Sequence, residues 1–141
     1  MKKIKAFTLI EIIIVLSIIA ILSGLVYPSY LDYITRTRRT DGQTALLELA
    51  NQMENYYQTS HTYATATIGT GNHTDLREKS TTPEGWYRLS ITHQNKYHYT
   101  LQATAQFSQA ENDPHCKNLT LNDLGEKQPA SAQQHQTDKC W

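Results

Sequence analysis

The chain has 141 residues with 13 basic and 13 acidic side chains, so its formal net charge is zero. That length allows one domain plus whatever the N-terminus does, and it leaves no room for two sizeable cores. Lys2, Lys3 and Lys5 precede an apolar run, and the rest of the chain carries −3 without them. Bulk electrostatic attraction to nucleic acid therefore has no support in the composition.

From Phe7 to Tyr27 there are 21 residues with Glu11 as the only charge. A helix of that length covers roughly 30 Å, enough to cross the hydrocarbon of a bilayer. An ionised Glu costs on the order of 2.5–3.5 kcal/mol at the centre of such a helix and less toward its ends, so something should repay Glu11. An ordinary secretory signal would need a small-x-small cleavage site after the apolar core. The small residues there are Ser17, Ala20, Ser23 and Gly24, and no two lie two positions apart. A plain membrane anchor fits the length and leaves Glu11 unexplained, unless the carboxylate snorkels to the headgroup boundary.

The string KAFTLIEIIIVLSIIAIL joins a short basic leader, a small residue before Phe7, and Glu11 at the fifth position counting from Phe7. It resembles the prepilin signature of type IV pilins and pseudopilins. The resemblance implies a leader of residues 1–6, cut between Ala6 and Phe7 by a prepilin peptidase, with the new Phe7 amine methylated. Most members carry Gly before the cut and often Gly where Ala20 stands, so Ala6 is expected to slow processing. The subunit would wait in the inner membrane, meet an assembly platform there, and pass into an extracellular filament. In that filament the Phe7 amine of one copy would face Glu11 of its neighbour. Such a pair is attractive where a lone charge is costly, and Glu11 would fix the axial stagger between helices.

Tyr27, Tyr30 and Tyr33 follow at a spacing of three, as in an aromatic belt at the membrane edge or in filament packing. Gly24 and Pro28 mark the expected flexible point or kink of the helix. Arg36, Arg38 and Arg39 read by default as a solvated basic face, with contact to phosphate or to a neighbour as the second reading. Leu46, Leu49, Ala50, Met53 and Tyr57 then follow the spacing of one buried helical face, so a single helix is expected over 7–58. Residues 59–85 contain Gly69, Gly71, Pro83 and Gly85 without a clear period, and form a long connection. Alternation at Tyr87, Leu89 and Ile91, and again at Tyr97, Tyr99, Leu101 and Ala103, predicts a hairpin turning at 93–96. A third strand is expected around Leu119 and Leu121, closed by a turn at 122–125, with a fourth near 126–128.

The two cysteines, Cys116 and Cys140, would form a bridge in an exported chain; otherwise they are two buried thiols. The layer rule places a sheet over the apolar face of the outer helix, giving an α+β fold. The resemblance adds the type IV pilin fold: a long protruding N-terminal helix packed on an antiparallel sheet of three to four strands. It also adds a disulfide-closed C-terminal region within 86–141.

Six histidines, at 61, 73, 93, 98, 115 and 135, form no ligand-spaced pair, and no catalytic or phosphate-binding motif occurs. No metal, cofactor or enzymatic activity is expected. Tyrosines with Lys96 and Arg88 could stack on single-stranded nucleic acid, and some pilins serve DNA uptake, but the sequence offers no basic groove. The expected function is a structural pilus subunit serving adhesion, twitching motility or DNA uptake. The rivals are a pseudopilin of a type II secretion system and a membrane-tethered ligand-binding module.

Overall fold

A computed structural model of the protein describes residues 7–129 and 140–141. Its elements are α1 (Leu9–Ser60), β1 (Tyr87–Gln94), β2 (Tyr99–Ala105), α2 (Phe107–Asn112), a 3-10 turn (Pro114–Cys116), β3 (Asn118–Asn122) and β4 (Lys127–Pro129). The strands form one antiparallel sheet in the order β1-β2-β3-β4. The expected α+β architecture is present, with the fourth strand included. The expected leader, residues 1–6, lies outside the described residues.

The chain divides into two compact units, Met1–Ile34 and Thr35–Trp141. In the first, α1 stays helical through Gly24 and Pro28 in the isolated subunit. Its large apolar side chains are exposed, with Ile10 at 61% and Leu22 at 55%. Ser17, the hydroxyl in the middle of this stretch, donates to the Ile13 carbonyl at 2.8 Å, which spares an apolar surround an open donor.

In the second unit the expected face of α1 is buried: Leu46, Leu49 and Met53 are inaccessible to solvent. They pack in one cluster with Leu89, Leu101, Leu119 and Tyr87 from the sheet, and Ala50 and Tyr57 close its edge. Residues alternate along β2, where Tyr99, Leu101, Ala103 and Ala105 all turn inward. Gly42 lets the helix approach the sheet, because a Cβ there would lie 2.9 Å from atoms of the Tyr87 ring. That ring is fully buried and its hydroxyl accepts a bond from Gln109 at 3.2 Å, so it has little freedom to yield. Gly42→Ala should therefore lose about 1–3 kcal/mol to overpacking, offset in part by about 1 kcal/mol of helix propensity. A lowered denaturant midpoint in detergent is the expected reading, and an unchanged or raised midpoint would refute the packing argument.

Two sequence expectations need correction. The hairpin turns at 95–98, two residues later than expected, so Tyr97 lies in the turn with 59% exposure and not on the inward face of β2. Asn95 decides this, because its Oδ1 accepts from the backbone N–H of both Tyr97 and His98 at 2.8 Å. A register shift between Ile91 and His93 absorbs the extra residue. The basic cluster is not a uniform solvated face either. Arg36 is exposed, but Arg38 lies 3.6 Å over the Trp86 ring, and Arg39 pairs with Asp113 at 2.8 Å with side-chain exposures of 14% and 6%. The helix α2, which no expectation from the sequence covered, takes a bond from Arg38 at Ser108 Oγ and ends on Asp113 as its C-cap.

Cys116 and Cys140 form the expected disulfide, with Cα atoms 5.5 Å apart and a separation of 24 residues. Gln43 of α1 donates to the Cys140 carbonyl at 2.8 Å, and Lys127 lies 5.0 Å over the Trp141 ring. The bridge thus fastens residues 140–141 to the core. Replacing both cysteines by Ser should cost about 3 kcal/mol in the chain-entropy account. Equal unfolding midpoints for the variant and the parent chain would contradict that account.

Candidate assembly segment and exposed sheet end

The N-terminus of α1 is built by Thr8 and Glu11. The Glu11 amide donates to Thr8 Oγ1 at 3.4 Å, and the Thr8 amide donates to Glu11 Oε2 at 3.5 Å. This is a reciprocal capping box, which satisfies two of the donors a helix start leaves open. The T-x-x-E spacing is readable in the sequence, although the roles expected of Glu11 there are assembly or snorkelling and not a cap. Both uses are compatible, since the box holds the carboxylate at the positive end of the helix, beside Phe7. Phe7 is 77% exposed, whereas Ala6, its partner at the expected cut, lies outside the described residues.

At one end of the sheet the turns 95–98 and 122–126 lie side by side, because β2 pairs with both β1 and β3. His98 Nδ1 meets Asp123 Oδ2 at 2.8 Å between them. Partial burial raises the Asp123 carboxyl pKa, but the His98 bond and neighbouring backbone amides outweigh it and leave the group below its ordinary value. Tyr97 projects from this end with Lys96 Nζ 5.1 Å from its ring, and Leu124 is 74% exposed. An exposed aromatic face with a cation on it offers a stacking platform for a planar group such as a base.

Behind the turn, Glu54 of α1 accepts bonds from the hydroxyls of Tyr63 and Tyr99, each at 3.0 Å. Burial first, and then the bond to Glu54, push the Tyr63 hydroxyl up to about 12 and raise Tyr99 as well. Tyr63 stacks on Tyr57 and meets Tyr99 edge-on, with centroids 4.6 and 4.9 Å away. The arrangement fixes the end of α1 against β2. In the long connection Asp75 accepts from the amides of Thr70 and Gly71 at 2.8 and 2.7 Å, which gives that loop a defined form. Among the described residues no group of three or more His, Cys, Asp or Glu is arranged to hold a metal.

Comparison with known proteins gives consistent matches. Residues 1–27 match the prokaryotic N-terminal methylation motif, and residues 28–120 match the family described as type IV minor pilin ComP, DNA uptake sequence receptor. Over 38 residues the chain is 53% identical to the type IV major fimbrial protein FimA of Dichelobacter nodosus, covering 27% of this chain and 24% of that protein. The chain thus aligns with about a quarter of the length of this curated relative. The crystal structure of the Neisseria meningitidis non-core minor pilin PilV superposes with a TM-score of 0.51 at 26% identity. That match covers 72% of this chain and 92% of the other.

Proposed function

This chain belongs to the family of type IV minor pilin ComP, and from that premise we propose that it is a structural subunit of a type IV pilus. The observation that carries the reading is the first half of α1: apolar, exposed in the isolated chain, and opened by a carboxylate in its first turn. Exposed apolar surface of that extent has to be covered, by lipid before assembly and by the same helices of neighbouring copies afterwards. Cleavage between Ala6 and Phe7 by a prepilin peptidase, methylation of Phe7, handling by an inner-membrane platform and export into the filament complete the proposal. Intact mass and N-terminal sequencing of protein sheared from the cell surface test it. A chain beginning at methylated Phe7 and gaining two hydrogens on reduction of its disulfide supports it. A chain beginning at Met1 and confined to the membrane overturns it.

Within that role we propose DNA uptake as the task of the exposed sheet end. The family description names a DNA uptake sequence receptor, and Tyr97 with Lys96 supplies a stacking face and a cation. The net charge of zero means that affinity would come from local contacts and not from the overall field. Loss of one stacked aromatic should weaken DNA binding by about 1–3 kcal/mol. A gel-shift titration of the full chain in detergent, comparing the parent with Tyr97→Ala, reads this directly. Equal affinities would remove the sheet end from the DNA surface while leaving the pilus reading untouched.

A further inference from the structure

Two stretches of the chain read Asn-X-Thr: Asn72-His73-Thr74 and Asn118-Leu119-Thr120. In an exported protein this pattern marks an acceptor for a saccharide on the Asn side chain when it lies in a surface loop. The two stretches are equivalent in the sequence, and the fold makes them different.

Asn118 opens β3, where it pairs with Thr104 of β2 and its Oδ1 accepts from Gln102 Nε2 at 3.2 Å. The hydroxyl of the same stretch, on Thr120, donates to the Gln128 carbonyl at 2.9 Å. Both ends are thus engaged in the sheet. Asn72 sits instead in the long connection, and it is exposed together with its neighbours Gly71 and His73. Its backbone is held, since its amide donates to Thr70 Oγ1 at 3.4 Å and its carbonyl accepts from the Asp75 amide at 3.0 Å. Its side-chain amide makes no hydrogen bond to a described residue. The space beside it is open as well: a Cβ placed on Gly71 would meet no atom within 4 Å beyond its chain neighbours.

We propose that Asn72 is a glycosylation site, loaded during export from a saccharide carried on a polyprenyl diphosphate. The Asn72 amide nitrogen attacks the anomeric carbon of the sugar. A C–N bond forms, the C–O bond to the diphosphate breaks, and the amide loses one proton as the polyprenyl diphosphate leaves. The folded loop also dictates when this happens. Thr74 Oγ1 lies 2.8 Å from Thr67 Oγ1, and the Thr67 backbone bonds to Thr74 and Leu76 at 3.0 and 2.9 Å. A transferase that reads the Thr74 hydroxyl therefore has to act before this pairing closes. The inference rests on the reading that the chain is exported.

The test is peptide mapping of the full chain recovered from its native cells, alongside N-terminal sequencing. Cleavage after Lys and Arg separates the two stretches, because Asn72 falls in the peptide 40–77 and Asn118 in 118–127. The expected result is an added mass of whole saccharide units on 40–77 and none on 118–127. Asn72→Gln should remove the addition completely, and since that side chain holds nothing in place, the variant should fold as the parent does. An unmodified 40–77, or an addition confined to 118–127, overturns the proposal; if that chain begins at methylated Phe7, the pilus reading stands without it. An addition that survives Asn72→Gln overturns it too, because the saccharide then sits on another side chain of the same peptide. A modified 40–77 in a chain that begins at Met1 keeps the site and removes the pilus reading.

Discussion

Glu11→Leu is expected to leave insertion into the membrane intact and to abolish entry into filaments. The substitution makes the apolar stretch more hydrophobic, so the membrane step should not suffer. Assembly is different, because the same carboxylate is asked to meet a positive amine in a medium where water cannot screen it. Leaving that amine unpaired in the filament core is costly, and even about 1.4 kcal/mol per subunit is a tenfold loss at each addition step. The structure adds a control, because Glu11 also closes a capping box with Thr8. Thr8→Ala weakens the helix start by about 1 kcal/mol while keeping the carboxylate, and Glu11→Gln keeps a group able to accept the Thr8 amide while removing the charge. Counting filaments on the cell surface against subunit in the membrane separates the two roles. Filaments from Thr8→Ala and none from Glu11→Gln assign assembly to the charge. Normal filaments from Glu11→Leu would defeat the register proposal.

The second large effect is expected inside the soluble unit. Arg39 holds Asp113 through two bonds, Nε to Oδ2 at 2.9 Å and Nη2 to Oδ1 at 2.8 Å, and Gln109 donates to the same carboxylate at 3.3 Å. Both charged side chains are mostly withdrawn from solvent. Arg39→Met leaves Asp113 without its cation, and breaking a buried pair in this way typically costs about 3–5 kcal/mol. A domain of this size has only about 5–15 kcal/mol in total, so the variant should be marginal at growth temperature. Replacing both partners, Arg39→Met with Asp113→Leu, should recover most of the loss, because the desolvation cost of the carboxylate goes with it. Denaturant midpoints of the two variants in detergent decide the matter. A double variant no more stable than the single one would mean that the pair matters through other contacts of Arg39.

The consequence reaches the surface, since Thr35 and Arg38 bond to α2 and Arg39 bonds to its C-cap Asp113. Loosening that attachment should release the backbone of Phe107, which opens α2 at φ 49°, from its left-handed conformation.

The sequence by itself determined the elements whose signal is local. Uninterrupted hydrophobicity over Phe7–Tyr27 specifies a helix that can cross a bilayer, and the three-and-four spacing of Leu46, Leu49 and Met53 specifies which face of its continuation is buried. Alternation marked β1 and β2, because a strand with one face on a core must repeat every two residues, and the turn after Leu121 marked β3. The pairing of Cys116 with Cys140 was the one bridge available to two cysteines. What only the tertiary structure decided depends on partners distant in sequence. The Tyr63 and Tyr99 hydroxyls that bind Glu54, and the Asp113 that binds Arg39 across 74 residues, follow no period a linear reading can detect. The turn at Asn95 and the outward Phe107 belong to the same class. Each is fixed by hydrogen bonds that satisfy buried or turning backbone, and those requirements exist only once the chain has folded.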